Sequence, residues 1–184
     1  MARENREERL SVKILSSALA GLIGAVAFAV GASAAPKTVV FPFDLSIQKT
    51  EEDFFTGPKK ASDAEALRLA QVHAELQKLL GGDGRYELVD LAPIAADISK
   101  QAPLDECNGC AQDLAKKVGG EIGVTGLVTK ASETLLNMQI GFFDVASGNI
   151  TKQVSVQIQG NTDESWLRGV RWLYKNRLMP EAKP

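Results

Sequence analysis

Leu135-Leu136-Asn137-Met138-Gln139-Ile140-Gly141-Phe142-Phe143-Asp144 decides the fold. Leu136, Met138, Ile140 and Phe142 alternate with Asn137, Gln139 and Gly141. A period of two marks a strand with one buried face and one wet face. Ile150–Gln159 repeats the pattern, with Val154, Val156 and Ile158 opposite Gln153, Ser155, Gln157 and Gln159. Between them, Ala146-Ser147-Gly148-Asn149 has hairpin-turn chemistry. Ile122 to Thr129 reads as the strand before them. Three consecutive strands with one polar face need helices on the other face, so the class is α+β.

Working outward, Val39, Val40 and Phe41 read as a short buried strand. Pro42 cannot donate to a ladder, which places that strand at an edge or at its own end. Asp44 to Ala61 reads as a long loop holding Phe54-Phe55 and Gly57-Pro58. Ser62 and Glu65 have capping-box spacing and open a helix. Leu69, Val72, Leu76 and Leu79 form its apolar stripe, and Gly81-Gly82 closes it. Tyr86 to Leu91 reads as a second strand and Pro93 to Lys100 as a helical turn or short helix. Cys107 to Val118 reads as a helix stopped by Gly119-Gly120. A last helix starts near Asp163 and runs to about Leu178, before Pro180. The expected order is β-α-β-(α)-α-β-β-β-α, a mixed sheet of about five strands with helices packed on one face. Gly119-Gly120 follows a helix instead of opening one, so no phosphate loop is expected.

Residues 1–34 read as a signal peptide. Arg3, Arg6, Arg9 and Lys13 precede a weakly apolar run from Ile14 to Val30, and Ala32-Ser33-Ala34 supplies a small-x-small cut site. The expected location is the periplasm, with residues 35–184 as one domain. The rival is an uncleaved inner-membrane anchor over residues 14–30, a run at the short limit for a span. Membrane contact is expected only through that segment. No cysteine lies near the cut, which argues against lipid attachment.

The 184 residues carry a formal net charge of −2, so no overall basic field draws the chain to nucleic acid. A single histidine, His73, cannot build a histidine-rich metal site and makes a His-dependent triad a poor prospect. It reads as a packing or capping residue. No cofactor and no metal are expected.

Cys107-Asn108-Gly109-Cys110 is the one motif with possible chemistry. A structural disulfide suits an oxidising compartment. An active dithiol would draw on a helix N-terminus to lower a thiol pKa, but Asp105 and Glu106 oppose thiolate formation. A metal would need two further ligands, supplied only by a second chain. Two inert free thiols are the remaining reading.

On a helical wheel Trp166 groups with Val170, Leu173 and Tyr174, the core side. Trp172 falls opposite, with Arg168, Lys175 and Met179, a composition enriched at protein interfaces. These four residues are the candidate partner-binding patch, together with Phe54 and Phe55 of the long loop. The alternative for Trp172 is cover by the Asp44–Ala61 segment.

Taken in order, these segments resemble the N-terminal domain of TolB and the curli-secretion protein CsgG. The likeness rests on Val39-Val40-Phe41-Pro42-Phe43, Tyr86-Glu87-Leu88-Val89-Asp90, Val118-Gly119-Gly120, Ile122-Gly123-Val124-Thr125-Gly126-Leu127-Val128 and Phe142-Phe143-Asp144-Val145. The cysteine pair and the Asp163-to-Arg171 segment with Trp166 are closer still to a domain-of-unknown-function family of small secreted bacterial proteins. The resemblance implies a TolB-like periplasmic domain that is no enzyme and binds another envelope protein. The alternatives are a thiol–disulfide redox protein using Cys107 and Cys110, and a small-ligand binding protein with a pocket under the long loop.

Overall fold

A computed structural model describes residues 34–49, 55, 57 and 59–179. Residues 1–33 of the expected leader, Phe54 and Pro180 lie outside these residues. The elements are β1 (Lys37–Ile47), α1 (Asp63–Gly82), β2 (Glu87–Leu88), a 3-10 turn (Ala92–Ile94), α2 (Ala95–Gln101), α3 (Cys110–Lys117), β3 (Ile122–Lys130), β4 (Leu135–Asp144), β5 (Ile150–Gln159) and α4 (Asp163–Leu173). A π-helical turn, Tyr174–Leu178, continues α4. The class is α+β and the element order is the expected one. One sheet runs β2-β1-β3-β4-β5, with β1 parallel to β2 and β3, and β3, β4 and β5 antiparallel.

The apolar alternation of β4 and β5 buries Leu136, Met138, Ile140, Phe142 and Ile158 on one face. Against them pack Val72, Leu76 and Leu80 of α1 and Trp166, Val170 and Leu173 of α4. Each buried side chain of this size contributes about 1.5–3 kcal/mol, so this cluster carries most of the fold. Leu80, rather than Leu79, completes the buried stripe of α1. The left-handed residues after α1 and α3 are Gly84 and Gly119, so the first stop falls beyond Gly81-Gly82. To the helical layer expected on one face, α2 and α3 add a smaller cluster on the other. There Ile94, Ile98, Leu104, Leu114 and Ala115 cover Val39, Phe41, Phe143 and Val145. The rest of that face, the amide-rich side of β4 and β5, stays open.

One expectation for the first strand is corrected. It does not end at Pro42, and β2 flanks it only at Lys37 and Thr38, so Pro42 lies on the sheet margin as expected. β1 runs on to Ile47, paired with β3 out to that end, which shortens the expected Asp44–Ala61 loop. The register shifts between Val40 and Phe43, so Phe41 and Pro42 together stand opposite Thr125. A bulge interrupts the ladder, and a residue without an N–H fits there at little cost. The Phe41 carbonyl is met by His73 Nδ1 at 3.0 Å, the capping role expected for that histidine. The second strand is only Glu87–Leu88. The α3 helix starts at Cys110, after Gly109 at φ 87°, and leaves Cys107 in the preceding turn.

The two sheet edges differ. Near Thr38 and Pro42 the first edge is occupied by β2, by Val89 N–H donating to the Thr38 carbonyl, and by His73. At the other edge β5 has β4 on one side and, among the described residues, no strand on the other.

Candidate functional site

A capping box starts α4 beside the free edge. Ser165 N–H donates to Thr162 Oγ1 and Thr162 N–H to Ser165 Oγ, each at 3.2 Å. The cap sets the phase of the helix. Trp166, Val170 and Leu173 are fully buried, and the Trp166 indole donates to Asn161 Oδ1 at 3.1 Å. A tryptophan buried with its N–H satisfied is a strong anchor. The opposite side then faces out, as expected, and Trp172 is 41% exposed.

Gly169 lets α4 lie close on β5. A Cβ there would meet Ile158 Cδ1 at 3.0 Å. Beside this contact is a groove of about 400 Å³, floored by Val156, Ile158 and Gly169 and walled by Ser165, Arg168 and Trp172. A second hollow on the outer side of Trp172 is lined by Arg168, Lys175 and Glu164 among others. Arg177 stacks over the Trp172 ring at 5.5 Å. Glu164 is the acidic residue nearby and reaches Arg168 at 3.4 Å with both side chains exposed, a pair worth little in water. Arg171 is paired with Glu75 at 2.7 Å. The surface around Trp172 is therefore apolar at its floor and basic at its rim.

The structure thus gathers Arg168, Trp172 and Lys175. Met179 is exposed but sits elsewhere, its sulfur 3.4 Å from Arg85 Nη2. The π-helical turn changes the phase after Leu173, with Met179 N–H donating to the Tyr174 carbonyl, so a regular wheel misplaces Met179. Phe55 is 93% exposed. Sequence reasoning missed Val156, Ile158 and Gly169 as groove residues, because their meeting with α4 depends on tertiary packing. The two-residue alternation of β5 was the available signal.

Cys107 and Cys110 lie side by side before α3 with Cα atoms 5.6 Å apart, a spacing that admits a disulfide. Acidic groups surround them. Asp44 Oδ2 accepts from the Leu104 and Asp105 N–H groups at 2.9 and 3.3 Å. Burial, then the charge of Asp105, pushes the Asp44 carboxyl up. Burial, then the charge of Glu106, does the same to Asp105. This negative field disfavours a thiolate.

Where β1 and β3 end, a polar cleft of about 770 Å³ lies among Ile47, Ser62, Glu65, Lys130 and Ser132. Its buried charges answer one another. Glu65 accepts from Lys130 Nζ at 2.7 Å, from Asn161 Nδ2 at 2.9 Å and from Ser62 N–H at 2.9 Å. Burial alone would raise its pKa, but the hydrogen bonds from Lys130, Ser62 and Asn161 outweigh it and hold Glu65 at about 2. Among the described residues no His, Cys, Asp or Glu cluster is arranged to hold a metal. Among the same residues no helix is long and apolar enough to cross a membrane.

No curated protein matches the sequence. Solved structures resemble this chain at low identity. The lipoprotein GNA1162 from Neisseria meningitidis is 15% identical, over 80% of this chain and 99% of that one, with a TM-score of 0.50. The LpoB C-terminal domain from Escherichia coli is 14% identical over 70% and 86%, at 0.47. TolB from Acinetobacter baumannii is 11% identical over 77% of this chain and 28% of its own, at 0.39. The resemblance to CsgG is not shown by these matches. The resemblance to a domain-of-unknown-function family is met directly: residues 36–178 match DUF3280, described as "Protein of unknown function (DUF2380)", and the chain belongs to that family.

Proposed function

We propose that this protein is a non-catalytic interaction module of the bacterial cell envelope. Residues 1–34 would direct export, and residues 35–184 would work as one domain outside the cytoplasm. The surface it presents to a protein partner is the α4 face around Arg168, Trp172 and Lys175. One observation carries this reading: a tryptophan 41% exposed over an apolar groove, framed by cations. Aromatic and arginine side chains are the residues that dominate binding energy at interfaces. The fold shared with a bacterial lipoprotein supports the envelope setting. The cysteine pair supports it too, because an oxidising compartment closes such a pair into a staple. The acidic surroundings of Cys107 and Cys110 favour that role over a redox one.

Photo-cross-linking in the native envelope tests the proposal. A photoreactive residue at position 172 is expected to trap a discrete partner. The same residue at position 67, an exposed leucine on α1, is expected to trap none. Arg168→Glu should abolish the adduct while leaving the circular dichroism spectrum unchanged. Identical adduct patterns at both positions, or an adduct indifferent to Arg168→Glu, would defeat the reading.

A further inference from the structure

The β5 strand and the groove above it form one continuous surface, and the pairing register tells what fits it. Gly160 N–H donates to the Thr134 carbonyl, and Ile158 stands opposite Leu136, Val156 opposite Met138 and Val154 opposite Ile140. In an antiparallel ladder, alternate residues turn both backbone groups toward the neighbour. Ile158, Val156 and Val154 therefore bond to β4, while the N–H and C=O groups of Gln153, Ser155, Gln157 and Gln159 point outward. Proteins usually blunt such an edge with charge, proline or a bulge. From Gln153 to Gln159 there is neither charge nor proline, and the register shift of β5 lies before this run, between the partners of Phe142 and Phe143.

A strand laid along this edge would turn every second side chain toward α4. Those side chains would enter the groove over Val156, Ile158 and Gly169, under Trp172. Beyond it stand Arg168 and Lys175, and Lys152 is the one charged residue of β5 itself. A second copy pairing two-fold through β5 would set this cationic rim against a copy of the same rim. The charge pattern instead selects a negatively charged occupant.

We propose that β5 takes up an extended acidic segment of a partner protein as a sixth strand, with apolar side chains at alternate positions in the α4 groove and carboxylates facing Arg168 and Lys175. This rests on the interaction reading above and names the partner's chemistry. Main-chain pairing would supply affinity, and the groove and cationic rim would supply selectivity.

The test uses the full chain and three fluorescent nine-residue peptides. The first alternates valine and threonine, with glutamate near each end. The second replaces both glutamates with lysine. The third keeps the glutamates but is N-methylated on alternate amides. The acidic peptide is expected to bind by anisotropy and to slow amide exchange at Gln153, Ser155, Gln157 and Gln159. The lysine peptide should bind about tenfold more weakly or worse, and the N-methylated one not at all. Because the peptides carry the changes, protein folding is never at stake. Trp172→Ala should weaken the acidic peptide without altering the exchange of unliganded β5. Three results would overturn the inference: no binding of the acidic peptide, binding indifferent to N-methylation, or a β5-dependent dimer in light scattering. If the cross-link at position 172 persists while binding ignores N-methylation, the interaction reading stands and strand addition alone fails.

Discussion

Glu65 is only 3% exposed and yet keeps its charge. The N-terminus of α1, a lysine and an asparagine converge on it: Ser62 N–H, Lys130 Nζ and Asn161 Nδ2 all donate to its carboxylate. Its pKa of about 2 lies below the usual 4.5. As pH falls, the unfolded chain therefore takes up this proton first. The stabilisation is complete above about 4.5 and is lost progressively as pH drops toward 2. Glu65→Gln is expected to lower stability at pH 7 by about 2–3 kcal/mol, since Lys130 then loses a buried partner. Urea unfolding from pH 7 to 2.5 checks it: wild type and variant should converge at the acid end. The capping box of Ser62 and Glu65 was legible from spacing alone. The ion pair with Lys130 was not, because 65 residues separate the partners. Trp172 was legible as outward-facing, since a helical wheel needs only the sequence of one helix.

Strands β4 and β5 have the bounds that alternation gives, because each has one face on the core and one in water. The first strand was read too short. Local rules take proline as a stop, whereas a bulge whose carbonyl is met by a histidine from α1 absorbs it. The last helical run ends at Leu178, as read, but the phase change of its π-helical turn escaped, because nothing in YKNRL marks it clearly. The start of α4 was closer to plain reading, and it can be weighed. Thr162→Ala removes the acceptor for Ser165 N–H and should cost about 1 kcal/mol. Native-state hydrogen exchange should show the first turn of α4 losing protection, with β4 unaffected. Protection unchanged in that turn would mean that Ser165 and the burial of Trp166 suffice to start the helix.

At the scale of the whole molecule, two apolar clusters on opposite faces of one sheet hold the chain together. Cys107 belongs to neither, and Cys110 only borders the smaller one. Closing a loop between residues 107 and 110 restricts the unfolded chain little, by about 2 kcal/mol at most. With the pair closed, as proposed, the double variant Cys107→Ser, Cys110→Ser should lose no more than this in urea and keep the native circular dichroism spectrum. A loss of the fold would show that the turn before α3 organises the second cluster. That cluster was the least legible part of the architecture, since its members come from segments distant in sequence.

Pro42 and His73 have a consequence beyond their own strand. A fibre built by joining sheets needs every subunit to offer a giving side and a receiving side. Here the Thr38–Pro42 flank is sealed by a short strand, an imide nitrogen and an imidazole, while among the described residues β5 keeps an open margin. Over that stretch, pairing of this kind finds no matching flank to pass to. A guest docked at β5 thus meets, across the sheet, a flank blocked at Thr38–Pro42, which hinders end-to-end joining of copies.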